Sequence, residues 1–359
     1  MTYYQELQLN QAGSKNVIRN SETRAEKIKH TLIYLSKIAI TLAFCFSFVT
    51  VFSMIFGSAN SVVGVVVLLS VMVFKNADFG VDSKQSVGLI ALFFALMAVG
   101  PHLANTLGVL PGLLINAAAI SLMIVLGCHI PQMCNHSTIV LGYLLLYGYD
   151  VSGEALVMRI LGLGVGALMT AAVFYHKHHN RIYEKKISDV LRQLTADKER
   201  LKWQLSIILC VPVVVAIAEA FHMPRAMWAG IAAMSVISMA MEPMKKKVLQ
   251  RILGNVAGVV VFLALYFLLP SSIYAYIGLI GGIGVGFSVN YGWQSLFNTF
   301  GALAIAAESF GLAGAIGLRL TQNIYGALFA LFFCVIFFRF YSKWQEKRGE
   351  EDEDEVAYA

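Results

Sequence analysis

Charge is what this sequence has little of. Asp, Glu, Lys and Arg together supply 13% of 359 residues, about half the share usual in a soluble domain. So few charges cannot clothe the surface of a soluble enzyme of this size, and that class is excluded. Cysteine is scarce too: Cys45, Cys128, Cys134, Cys210 and Cys334 lie in or beside apolar stretches, so no disulfide framework is implied. Nor is a cleavable secretory signal expected from the N-terminal segment. Met1 to His30 is polar and mixed in charge, and the first apolar block has no small-residue cleavage site. Gly278, Gly281, Gly282, Gly284 and Gly286 sit inside an apolar run without the strand and helix that a dinucleotide loop needs, so they read as close-packing positions.

What is abundant is apolar sequence. Hydrophobic residues make up 58% of the chain, arranged in blocks of about 17 to 25 residues, the length a helix needs to cross roughly 30 Å of hydrocarbon. The blocks place spans at 31–56, 59–75, 85–103, 107–127, 135–149, 153–175, 203–221, 225–241, 250–269, 272–288, 291–307 and 313–340. The fold class expected is an all-α polytopic membrane protein of about twelve transmembrane helices.

The net charge of +6 is distributed as a membrane protein's would be, not as a nucleic-acid binder's. Lys15 to Lys29, Lys75 and Lys84, the run Lys177 to Lys202, Lys245 to Lys247 with Arg251, and Arg339 to Arg348 fall on one side of the predicted spans. The positive-inside rule makes that side cytoplasmic and puts both termini there, in a plasma membrane. Trp203, Trp228, Trp293 and Trp344 fall near span ends, where indoles prefer the headgroup layer.

The chain reads as two halves. Gly64 and Gly88 correspond to Gly230 and Gly254 at an offset of about 166 residues, and Arg159 and Arg319 are each followed seven positions later by Gly-Ala-Leu. The organisation expected is a cytoplasmic segment 1–30, a six-helix repeat 31–175, an amphipathic linker helix 176–202, a second six-helix repeat 203–340 and a cytoplasmic acidic tail 341–359. Repeated halves in a membrane commonly enclose a substrate path near the midplane.

The second half carries Pro224-Arg-Ala-Met-Trp228-Ala229-Gly230, then Glu242-Pro243, a basic loop, and Arg251-Ile-Leu-Gly254-Asn-Val-Ala-Gly258. This pattern resembles the fusaric acid resistance and aromatic acid exporter family. Asn255 stands where that family usually has Thr, Gln85 stands in the first half where Arg251 would be, and a short linker replaces the family's larger cytoplasmic domain. The resemblance implies a membrane transporter for organic anions. The wider group is also similar to plant organic-anion channels.

Ionisable residues at membrane depth are costly, at about 2.5 to 3.5 kcal/mol each on insertion scales, so each needs a partner or a wet cavity. Arg159 and Arg319 occupy equivalent places and suit a carboxylate, since the guanidinium fork makes two parallel hydrogen bonds and keeps its proton. Their other reading is structural, with Arg159 pairing with Asp150 or Glu154 and Arg319 with Glu308. Asn290, Gln294, Asn298 and Glu308 recur on one helical face, with Asn323 a turn beyond Arg319; such a row lines a path or serves as interhelical glue. Glu219, Glu308 and Asp150 are the candidates for proton coupling, and Glu219 could instead pair with Arg225. Pro212 can bend its helix.

Cys128, His129, Met133, Cys134 and His136 crowd one turn, but their spacing matches no zinc pattern, and an interfacial turn is the reading taken over a soft-metal site. His176, His178 and His179 read as a headgroup-facing cluster. No cofactor, metal or nucleic acid is expected; the partners are the bilayer and a small anionic substrate, and a homo-oligomer is open. The function expected is proton-coupled efflux of amphipathic or aromatic organic anions. Arg159 and Arg319 would hold the anion, with Trp228, Trp293 and the polar row around it. A passive anion channel and a membrane scaffold or lipid-handling protein are the alternatives.

Overall fold

The computed structural model describes residues 2–270 and 274–357, with backbone alone at 275–276 and 348–357. Among the described residues every regular element is helical: α1 Tyr3–Gln8, α2 Gln11–Arg19, α3 Arg24–Phe56, α4 Ser61–Phe74, α5 Ser83–Thr106, α6 Val109–Gly127, α7 His136–Gly148, α8 Glu154–His178, α9 Ile187–Arg192, α10 Lys198–Ala220, α11 Met227–Val236, α12 Met241–Leu268, α13 Ala275–Phe287 and α14 Tyr291–Ala357. Short 3-10 turns occupy Ser58–Asn60 and Pro131–Met133.

Seven of these helices are long and apolar enough to cross a membrane, and α7, α11 and the apolar parts around α4 and α13 are shorter. The chain is thus an all-helical protein with the make-up of a polytopic membrane protein. Exposure says where the apolar surface goes. In α3 the most apolar window has a mean hydropathy of 2.3 and is only 11% buried, with Phe46 71% and Met54 80% exposed. Water would penalise that face at roughly 25 cal/mol per Å², whereas acyl chains accept it.

Each predicted span lies on a helix, and the departures have local causes. Residues 272 and 273 of the span 272–288 lie outside the described residues. The spans 291–307 and 313–340 share α14, which breaks at Gly311, where φ is 68°; a side chain there would strain the backbone, and glycine permits the kink. The span 225–241 is helical only to Val236, after which Ile237 is extended at φ −58° and ψ 127°. Pro243 then sits in the first turn of α12, where a missing N–H removes no helical bond. Within 176–202 the regular structure is the end of α8, the short α9 and the start of α10, whose N-cap Asp197 accepts from the Arg200 amide.

The chain packs as two compact units, Met1–Val51 with Leu249–Asn323, and Phe52–Val248 with Ile324–Ala359. In the first, Gly254 and Gly258 of α12 admit the start of α14 so closely that a Cβ at either would lie 2.5 Å from the Gly292 carbonyl oxygen or 2.6 Å from that of Leu296. Small residues four apart let helix backbones touch in this way. Tyr34 of α3 donates to the Gly286 carbonyl at 3.2 Å and stands edge-on to Phe287. Lys15 reaches the Phe287 carbonyl at the end of α13, where the helix dipole favours a cation.

In the second unit α5 packs on α6 and α8, α4 on α8, and α10 on α6 and α11. Phe74, Phe79, Phe93 and Phe174 form an aromatic core beneath the α4–α5 turn. Gly166 and Gly326, the glycines of the two Gly-Ala-Leu matches, meet Val67 of α4 and Ala229 of α11 respectively.

Candidate functional site

Two buried polar clusters are built around arginines, one in each unit. In the unit containing α12, Arg251 is 7% exposed and reaches from α12 to α14 on both sides of the Gly311 break, at Tyr291 and Asn323. Its Nε and Nη2 donate to Asn323 Oδ1 at 3.1 and 2.8 Å, and Nη1 donates to the Tyr291 hydroxyl at 3.0 Å. Asn323 turns its other end back, donating from Nδ2 to the Arg319 carbonyl at 2.9 Å. One amide therefore ties the two arginine positions together.

The cluster extends along α12. Asn255 donates to the Arg251 carbonyl at 2.8 Å and accepts from the Thr299 hydroxyl at 3.0 Å. Asn255 thus has both ends of its amide engaged at the position where the resemblance leads one to expect Thr. Arg319, Gln322 and Asn323 are buried on the same stretch of α14. Burying guanidinium groups costs several kcal/mol apiece unless their donors are met, and the partners described for Arg251 are an amide and a phenol.

In the other unit Arg159 is 2% exposed. Its Nη1 and Nη2 donate to the carbonyls of Leu146 and Tyr149 at 3.3 and 2.6 Å, and Nε to Asn60 Oδ1 at 3.2 Å. Those carbonyls close the C-terminal end of α7, which has no helical partners for them and carries the negative end of the dipole. Arg225 reaches the same terminus, donating to the Gly148 carbonyl at 3.0 Å with its guanidinium over the Tyr149 ring at 4.2 Å. Asp150 pairs with Arg159 at 3.8 Å and more closely with His102, at 3.1 Å. Of the two readings of Arg159, its contacts match the structural one with Asp150.

The remaining expected site residues are scattered. Trp228 is buried in α11, whereas Trp293 is 58% exposed. Asn290 is exposed and accepts from Gln250 and from the Gly292 amide. Gln294 donates to the Ser288 carbonyl. Asn298 and Glu308 lie on the exposed side of α14, and Ser295 and Thr299 hold the buried places on the neighbouring face. Glu219 faces the Tyr147 hydroxyl and His222. Pro224 is exposed at the turn into α11.

Several participants were not singled out in the sequence. Asn60, His102 and Tyr291 are ordinary residues at helix ends, and Arg251 was read as a motif position with no partner named. The crowded turn around Cys128 spreads its groups apart: Cys134 is exposed, His136 stands edge-on to Trp203, and His129 meets Lys185 at 3.2 Å. Among the described residues no group of His, Cys, Asp or Glu has a metal-holding arrangement.

Comparison with known families adds one result. Residues 213–333 match the family model described as fusaric acid resistance protein-like. The match spans from α10 to α14, includes Pro224, Trp228, Arg251, Gly254 and Gly258, and supports the family expected from those motifs. No curated protein and no solved structure matches the chain.

Proposed function

Taking the fusaric acid resistance protein-like family over residues 213–333 as the premise, we propose that the chain is a proton-coupled exporter of amphipathic or aromatic organic anions in the plasma membrane. The family match and the apolar helices together support a multi-pass membrane protein with a transporter or efflux role. Anion export is carried by the cluster of Arg251, Asn323 and Arg319, in which two buried guanidinium-bearing positions fall within the family-matched segment. A site rich in positive charge and poor in water attracts a carboxylate, and the flat fork of arginine suits it.

A second feature supports transport. α11 has ten residues, about 15 Å of helix, or half a bilayer. It gives way at Ile237 to non-helical backbone inside a predicted span, and the corresponding α4 of the first half has fourteen residues. Short or interrupted apolar segments at matching places in two halves point to a substrate site. In this proposal Arg319 and Arg251 hold the anionic group, and Arg159 acts as a positioning residue for α7 in its own unit. Asp150 with His102, or Glu219 with Tyr147, exchanges the proton.

The exposed place of Glu308, one of the expected proton carriers, favours a passive anion channel as the second reading, because a channel requires no titrating carboxylate. The test is counterflow of radiolabelled benzoate in proteoliposomes of the full chain, with and without a pH gradient. Export should stop in Arg319→Gln and Arg251→Gln at unchanged solubility and helix content, and should fall when the gradient is collapsed. Flux that follows membrane potential alone selects the channel, and benzoate flux untouched by both substitutions removes the anion site.

A further inference from the structure

The cytoplasmic end expected for α14 carries a feature that transport does not use. From Phe329 to Phe340 the helix presents Phe329, Phe332, Phe333, Ile336, Phe337 and Phe340 along an apolar groove of about 220 Å³ with no polar lining. Phe332 and Phe340 are 65% and 69% exposed. That stretch rises about 17 Å at ~1.5 Å per residue, close to the ~15 Å depth of one leaflet of a ~30 Å hydrocarbon core. Beside it lies a second groove of about 860 Å³, which shares Ile336 and Phe340 with the first and is rimmed by Lys245, Arg339 and Lys343. Both grooves lie within one compact unit.

We propose that this pair of grooves binds one anionic glycerophospholipid of the cytoplasmic leaflet, its acyl chain along the phenyl groove and its headgroup phosphate among Lys245, Arg339 and Lys343. Charge complementarity selects the occupant. Three cations stand where an acyl-depth groove ends, and a zwitterionic headgroup would bring its own cation against them. Glu346 is the acid in the lining, and Glu242 holds Lys245 at 2.7 Å across an exposed pair; such a pair is screened and exchanges readily with a phosphate. Trp344, 51% exposed on the next turn, is placed where indoles meet headgroups. The inference rests on membrane embedding in this orientation and not on any transported substrate, so the flux assay above and the lipid assay below fail separately.

The test uses the full chain in detergent, exposed to phosphatidylglycerol or phosphatidylcholine and read by native mass spectrometry. Phosphatidylglycerol should be retained preferentially, and the combined variant Lys245→Gln, Arg339→Gln, Lys343→Gln should lower that retention at least ~10-fold, as expected for three juxtamembrane cations. A second readout needs no alteration of the basic rim. Brominated phosphatidylglycerol should quench the part of the fluorescence that is lost in Trp344→Phe. Equal retention of the two lipids, unchanged retention in the triple variant, or absent quenching overturns the proposal. So does displacement by millimolar glycerol 3-phosphate, which would mark a free-phosphate site, or a Phe332→Cys crosslink between copies, which would mark a dimer face.

Discussion

Arg251 and Asn323 are joined by two hydrogen bonds to a single oxygen, with Nε and Nη2 of the guanidinium both on Asn323 Oδ1 at 3.1 and 2.8 Å. The residues are 72 positions apart and both are buried. Removing the amide leaves guanidinium donors buried without that acceptor. Asn323→Ala is expected to cost about 2–4 kcal/mol of stability, and Arg251→Ala a similar amount. Because they share one interaction, the double variant should lose less than the sum by at least about 1 kcal/mol. Thermal denaturation in detergent measures all three, and strict additivity would separate the pair.

Arg159 closes α7 through two hydrogen bonds and holds Asn60 with a third, all fanned from one planar group. A lysine cannot reproduce that fan. Arg159→Lys should therefore cost about 2 kcal/mol and Arg159→Ala about 3–5 kcal/mol. Asp150→Asn should cost under about 1 kcal/mol, since its contact with Arg159 is long and partly exposed. Limited proteolysis at the 149–153 turn reports the loosening, and equal effects of Asp150→Asn and Arg159→Ala would reassign the dominant bond.

Gly258→Ala should destabilise by about 1–3 kcal/mol, because its new methyl would face the Leu296 carbonyl at 2.6 Å and backbone must move. Gly282→Ala is the matched control. Its nearest neighbour is a Leu42 methyl at 3.7 Å, so the change should stay within about 0.5 kcal/mol. Comparable losses of monodisperse protein in the two variants would refute the close approach of α12 and α14.

His129 lies in the α6–α7 turn, where burial, then Arg200 and Lys185, push its pKa down from 6.5 to about 4. The unfolded chain binds this proton below about pH 6.5 and the folded chain does not until about pH 4, so stability is present above 6.5 and declines as pH falls through that window. The loss should amount to about 1–3 kcal/mol. His129→Asn should flatten the slope of melting temperature between pH 6.5 and 4, and a slope identical to that of the unaltered chain would place the titration elsewhere.

Length and hydropathy were legible because they are local. An apolar run of given length forms a helix and prefers lipid whatever its neighbours do, so each predicted span lies on a helix, and the family motif at Arg251, Gly254 and Gly258 could be read from its residues alone. Which side of a helix faces inward was not legible in the same way. Asn290, Gln294 and Asn298 share a face by periodicity, yet Asn298 is exposed and Thr299 buried, because the approach allowed by Gly254 and Gly258 chooses the face of α14 that meets α12. The break after Val236 also escaped a hydropathy window, which averages over residues that differ in backbone.

By itself, then, the order of residues determined a helical chain with the make-up of a multi-pass membrane protein and the places along it where ionisable groups fall. Only the tertiary structure decided that Arg159 spends its donors on the end of α7 while Arg251 meets Asn323. Burial preference is summed along a segment, whereas a hydrogen bond requires two distant atoms within about 3 Å, and helix packing alone brings them there.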